Sequence, residues 1–270
     1  MQINMDVSGK TYVHFHNDHH IGDCLMFLRF VFNNKELLNE SNICIIFHYN
    51  QKYMGNFKKE LDVYAVPETI VLSSDPAPAD SYETWMFYLI NGVKYLNWVH
   101  YFEIYYKKIA AQLKLNLDRI VCNIWQPEPY LNAICADLPT PCKNIDILII
   151  NGTTHSGQYN RDRSAMDNLC RVLDTSYNII TTRKVDNITC TLDYDLRIRD
   201  IAALATQARF VVALYTGPLC ALYNEEAKKA VTKWFFIVTN GEYYNHDGID
   251  YTMITNGNLS PIYTYFSVPR

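Results

Sequence analysis

Residues 14–23, HFHNDHHIGD, place four imidazoles and two carboxylates in one short stretch of chain. Two chemistries suit those residue types. Alternation along a strand puts His14 and His16 on one face, with Asp18 and His19 close behind, a set able to hold zinc and activate water. In the other reading the strand turns at Gly22 into a helix. Gly22 lets the backbone approach a ligand closely, and Asp23 presents a carboxylate at the carboxyl edge of a sheet, where α/β folds bind their ligands. An Asp that opens a helix also serves as a plain N-cap.

The metal pattern, His14-x-His16-x-Asp18-His19, matches the H-x-H-x-D-H signature of the metallo-β-lactamase superfamily and implies a two-metal hydrolase. That architecture needs several strands ahead of the motif, and 13 residues precede it. It also needs downstream ligands, and His48, His100, His155 and His246 lack the expected surroundings. The expectation is no metal ligands.

The elements that must position these residues are read from hydrophobic period. Strand-like runs at 11–16, 43–48, 69–72 and 119–125 alternate with helical segments at 23–32 and 50–61 and a long apolar stretch at 81–113 that reads as two helices. A proline-rich segment, 126–144, reads as a linker. Strands at 146–151, 177–182, 209–214 and 234–239 then alternate with helices at 162–173, 197–207 and 218–230. Such alternation predicts parallel sheets with crossover helices. The expected fold is α/β, of GT-B type: two Rossmann-like parallel-sheet domains, 1–138 and 139–270, facing across a cleft. Neither half carries the G-x-G-x-x-G dinucleotide fingerprint, which argues against a nicotinamide or flavin enzyme.

Two segments together carry a family resemblance. HIGDCLMFLRFVFNNKELLNESNICIIFHYNQKYMGNF (20–57) resembles the opening of the heptosyltransferase-like (family 9-like) glycosyltransferases of the GT-B fold. LRIRDIAALATQARFVVALYTGPLCALYNEEA (196–227) is similar to that family's helix, strand, [ST]-G-P/L turn and helix. The resemblance implies an inverting, metal-independent transfer of a sugar from a nucleotide-diphosphate sugar to a glycan or lipid-linked acceptor, with no cofactor beyond the donor substrate. It makes Asp23 the general base, with His16, His19 and His20 as acceptor contacts or alternative bases. Donor contacts are implied at Gly22, at Thr153, Thr154, Arg161 and Arg163 of the 151–163 loop, and at Thr216, Gly217 and Pro218. The chain departs from the family at Tyr215, where an acidic residue is usual, at Cys220, where a histidine is usual, and in lacking a Lys-x-Trp after 151–157. An inactive nucleotide-sugar-binding relative is the further alternative. The aromatic residues Trp85, Tyr88, Tyr95, Trp98, Tyr101 and Tyr105 can stack on sugars, though helical spacing suits core packing better. Asp193-Tyr-Asp195 resembles the D-x-D of GT-A enzymes, but its place ahead of the 197–207 helix suits capping.

Composition sets the outer limits. A net charge of −4 and a pI near 6.0 give no reason to expect nucleic acid. No apolar run approaches the ~20 residues of a transmembrane segment. The eight cysteines contain no C-x-x-C, which fits a disulfide-free cytoplasmic protein.

Overall fold

A computed structural model describes residues 4–5, 9–18, 20–85, 97–128, 130–152, 163–238, 245–255 and 257–267. The chain forms two compact units, Met1–Glu128 and Pro129–Arg270.

In the first unit, β2 (Thr11–Asn17), β3 (Ile43–Tyr49) and β4 (Ile70–Ser73) are parallel neighbours in that order. On the free side of β2, β1 (Asn4–Met5) pairs antiparallel at its start and β5 (Tyr82–Glu83) parallel near its end. Strand order therefore reverses between β2 and β5. At such a switch point the connections leave in opposite directions and open a crevice at the carboxyl ends. One sheet face carries the buried Val13, Phe15, Ile45 and Phe47. It packs on α1 (Ile21–Asn33), where Phe27 meets Phe15 and Phe47 at centroid distances of 4.7 and 5.4 Å. Phe30 of α1 stacks on Tyr106 of α5 (Trp98–Gln112), so α5 lies against the back of α1. The other face carries His14, His16 and His48, and His14 and His16 stay half-exposed.

The second unit holds five parallel strands in the order β10-β9-β8-β6-β7: β6 (Ile147–Ile150), β7 (Ile179–Thr181), β8 (Phe210–Leu214), β9 (Lys233–Ile237) and β10 (Tyr251–Ile254). Here the order reverses between β6 and β8. Residues of α7 (Arg163–Asp174) and α11 (Ser260–Ser267) form one core with Ile147, Ile149, Val212 and Phe235. The opposite residues Leu148, Val211, Trp234 and Phe236 are buried as well. Burial on both faces explains why these strands read as unbroken apolar runs.

Several expectations need correction. Residues 119–125 form no strand. Asn34, between α1 and α2 (Lys35–Glu40), accepts from the Val121 N–H at 2.8 Å and donates to the Val121 carbonyl at 3.1 Å, taking the backbone groups a ladder partner would use. Tyr82–Glu83, at the head of the stretch read as helices, is instead the strand that creates the first switch point. The 50–61 helix is α3 (Gln51–Met54), a 3-10 turn and α4 (Lys58–Asp62). The 218–230 helix divides into α9 (Leu219–Leu222) and α10 (Glu225–Ala230), because Asn224 turns extended and caps Ala227 N–H at 2.7 Å. The linker segment contains α6 (Leu131–Asp137), packed on α8 (Ile198–Ala205). β1, β10 and α11 were not anticipated. No described helix is long and apolar enough to cross a membrane.

Candidate functional site

At the first switch point, β2 ends on Asn17, buried at 1% exposure. Its Oδ1 accepts from His20 N–H at 2.9 Å and its Nδ2 donates to Thr84 Oγ1 at 3.1 Å. One amide thus ties the loop after β2 to the residue after β5. Thr84 N–H donates back to His16 C=O at 2.9 Å, and Tyr105 Oη donates to Thr84 C=O at 2.9 Å.

This frame sets the entry of α1. His20 occupies the N-cap position without a side-chain cap, so Asp23 is not an N-cap but stands in the first helical turn. Gly22 and Asp23 are both buried, Asp23 at 9% exposure. A carboxylate there meets the positive end of the helix. Its charge is felt next door: burial first, then Asp23, push the Cys24 thiol and the Tyr105 phenol well above their usual ranges. His20 lies flat on Trp85, with centroids 5.1 Å apart and planes 9° apart.

The histidines belong to a local network. His16 Nδ1 meets Ser81 Oγ at 2.8 Å. His48 Nδ1 lies 3.0 Å from the Asp75 carbonyl, which only accepts, so that nitrogen carries the hydrogen. His48 Nε2 lies 2.9 Å from His14 Nδ1, and one of the two imidazoles donates to the other. Burial first and His48 second hold His14 below the usual imidazole range. His19 lies outside the described residues. Among the described residues no group of three or more His, Cys, Asp or Glu is arranged to hold a metal ion.

At the second switch point, β6 runs into Asn151 and Gly152, whose N–H groups both donate to Thr182 Oγ1, at 3.1 and 3.2 Å. Asn151 Oδ1 accepts from Arg183 N–H at 2.8 Å. Arg183 pairs with Asp167 of α7, a cation that the sequence reading did not single out. Thr153, Thr154 and Arg161 lie outside the described residues, while Arg163 opens α7, exposed.

Across the switch point, β8 leads into Tyr215, Thr216, Gly217 and Pro218. Thr216 is buried at 7% exposure, and its Oγ1 has no hydrogen-bond partner among the described residues. Thr216 C=O accepts Leu219 N–H at 2.9 Å and Gly217 C=O accepts Cys220 N–H at 3.0 Å, closing the turn. The following α9 has four residues, so it brings less dipole to this turn than the unbroken helix expected. Tyr215 Oη bonds to Nε2 of the fully buried His246, which lies against Phe236 with centroids 4.2 Å apart. Burial lowers the His246 pKa to about 3, and its Nδ1 has no partner among the described residues.

The remaining candidates resolve structurally. Tyr101 and Tyr105 are core, while Tyr88 and Tyr95 and the Trp98 side chain lie outside the description. Asp193 accepts from Cys190 N–H at 3.0 Å and pairs with Lys184 at 2.6 Å. It caps its own 3-10 turn; the helix after it, α8, is served by Asp200 through Arg197 N–H at 2.7 Å. Sequence reading missed Asn17, Ser81, Thr84, Thr182 and His246 as organisers of the two edges. Only the polar Asn17 and Thr182 directly after apolar runs gave a local signal.

No family model and no curated protein matches the chain. Among solved structures, the Escherichia coli heptosyltransferase WaaC with ADP-2-deoxy-2-fluoro heptose is 10% identical, with a TM-score of 0.51 over 95% of this chain and 100% of that one. The same enzyme with ADP is 9% identical, with a TM-score of 0.52 over 94% and 98%. A family 9 glycosyl transferase from Veillonella parvula, 8% identical, gives 0.49 over 96% and 92%. At such identities the WaaC likeness defines the fold: this is a GT-B-like protein of two parallel-sheet α/β units.

Proposed function

We propose that the protein is an inverting glycosyltransferase that uses a nucleotide-diphosphate sugar, without a metal, and glycosylates a hydroxyl of a glycan or lipid-linked acceptor. The observation that carries this reading is the buried Asp23 carboxylate, held on the first turn of α1 at the switch point of the first sheet. Asp23 takes the proton of the acceptor hydroxyl as that oxygen bonds to the anomeric carbon from the side opposite the leaving group. The bond between the anomeric carbon and the diphosphate oxygen breaks, and the nucleoside diphosphate departs with the electron pair. In the second unit, Thr216 Oγ1 and the arginines near β6 offer the donors that a diphosphate needs.

The test pairs a thermal-shift panel of UDP, GDP, ADP and dTDP with donor turnover by the wild type and Asp23→Asn. One nucleotide raises the melting temperature of both proteins, because a ligand of the folded state stabilises it. Asp23→Asn loses about 10²–10⁴-fold in turnover, the usual worth of a general base. Flat nucleotide responses, or full turnover by Asp23→Asn, would refute the reading.

A further inference from the structure

Asp23 stands three residues after the N-cap of α1, and a carboxylate at that spacing has an ordinary task. It reaches back and accepts the backbone N–H of the N-cap residue, which has no partner within the helix. Two other turns of this chain use an aspartate in this way at the same spacing. Asp193 accepts Cys190 N–H at 3.0 Å, and Asp200 accepts Arg197 N–H at 2.7 Å. In α1 the corresponding donor is His20 N–H, and it goes to Asn17 Oδ1 at 2.9 Å instead.

That bond is fixed in direction and in place. A backbone N–H only donates, so the amide atom facing His20 is the oxygen, and the Asn17 nitrogen faces Thr84 Oγ1 at 3.1 Å. Thr84 Oγ1 directs its own hydrogen at His16 C=O, 3.3 Å away, and so accepts from Asn17. Asn17 and Thr84 are both buried, and Tyr105 of α5 donates to Thr84 C=O. A buried amide bonded at both ends does not turn over without leaving polar atoms unpaired.

From the shared spacing and the diverted donor we infer that Asn17 is a positioning residue of the transfer reaction: by taking the His20 N–H it relieves Asp23 of the capping role and keeps that carboxylate for the acceptor hydroxyl. This rests on the transferase reading above, in which Asp23 is the base. A carboxylate drawn back onto the N–H is held in its charged form, which makes it a weaker base, and it is displaced from the reacting hydroxyl.

The experiment measures donor turnover against pH for the full chain and for Asn17→Leu, which keeps the side chain's bulk and removes its oxygen. Asp23 then falls back onto the released His20 N–H. Turnover, kcat, drops about ten- to a hundred-fold, the cost of a misplaced catalytic group, while the donor KM stays near the wild-type value. The acid limb of kcat/KM moves down by about half a pH unit or more, because an N–H bond to the carboxylate favours its charged form. Titratable neighbours of Asp23 are Cys24 and His20 on the same turn and Tyr105 of α5. Burial first and Asp23 second hold the thiol and the phenol well above their usual ranges, so neither titrates with a carboxylate, and loss of the limb in Asp23→Asn assigns it.

Asn17→Ser, whose hydroxyl can still accept an N–H three residues on, restores most of kcat and the wild-type limb. Thr84→Val removes the partner at the other end of the amide, and it lowers the melting temperature without moving the limb. Should Asn17→Leu fail to fold, Asn17→Ala takes its place. Wild-type kcat without the Asn17 oxygen, or a loss of kcat with the limb unmoved, overturns the inference while wild-type turnover leaves the transferase reading standing. Absence of donor turnover by the wild type brings down both.

Discussion

At the carboxyl edge of the first sheet, backbone and side-chain donors are bonded within the protein, from Asn17 through Thr84 to His16 and from His14 through His48 to Asp75. At the edge of the second, Thr216 Oγ1 and His246 Nδ1 are buried without partners among the described residues. An unpaired buried polar atom costs about 1–3 kcal/mol, so folds keep few of them. The first edge is therefore organised before any ligand arrives. The second keeps hydrogen-bonding capacity in reserve.

The comparison can be broken most severely from behind the first edge. Arg29 of α1 and Glu128 form an ion pair with both side chains fully buried, and Tyr64 Oη donates to the same carboxylate at 2.9 Å. Glu128→Gln takes the charged carboxylate away from the buried Arg29 and lowers stability by about 3–5 kcal/mol in urea denaturation. A shift within error would mean that α1, and with it Asp23, is not braced this way.

A smaller effect sharpens the account of the second edge through pH. The folded pKa of His246, about 3, lies below the ordinary imidazole value of 6.5, so the unfolded chain binds a proton that the native state refuses. The stability from this group is fully present above pH 6.5 and falls as pH drops toward 3. The loss is about 2 kcal/mol between pH 7 and pH 5. His246→Phe, which keeps an aromatic ring against Phe236, removes this histidine's part of the slope; an unchanged slope would place the proton uptake elsewhere.

Smallest is the change at Thr216. Thr216→Val removes the unpaired hydroxyl at nearly constant shape. The ligand-free protein gains about 1 kcal/mol, while affinity for the nucleotide falls about five-fold or more. If calorimetry gave wild-type affinity, the hydroxyl would have no part in donor binding.

The alternation of elements was legible because burial of both faces of the second sheet writes continuous apolar runs into β6, β8 and β9. The Gly22-Asp23 corner was legible because a strand-to-helix turn concentrates its requirements in adjacent residues. The helix at 218–230 was read as unbroken because the cap that divides it, Asn224, also suits a helix surface. Two-residue β5 was hidden because its pairing with Phe15 and His16 lies 67 residues away in the chain and leaves no periodicity of its own.

By itself the sequence determined two successive parallel α/β units and placed Asp23 and Thr216 at their turns, since hydrophobic period and turn chemistry act over a few residues. Only the tertiary structure decided that Val121 bonds to Asn34 at the end of α1 rather than to a strand, that Asn17 reaches Thr84, and that Glu128 closes on Arg29. Each of those contacts joins groups far apart in sequence, chosen by which buried polar atom can satisfy another once the chain has folded. The hydrogen-bonding character of each edge follows from those choices.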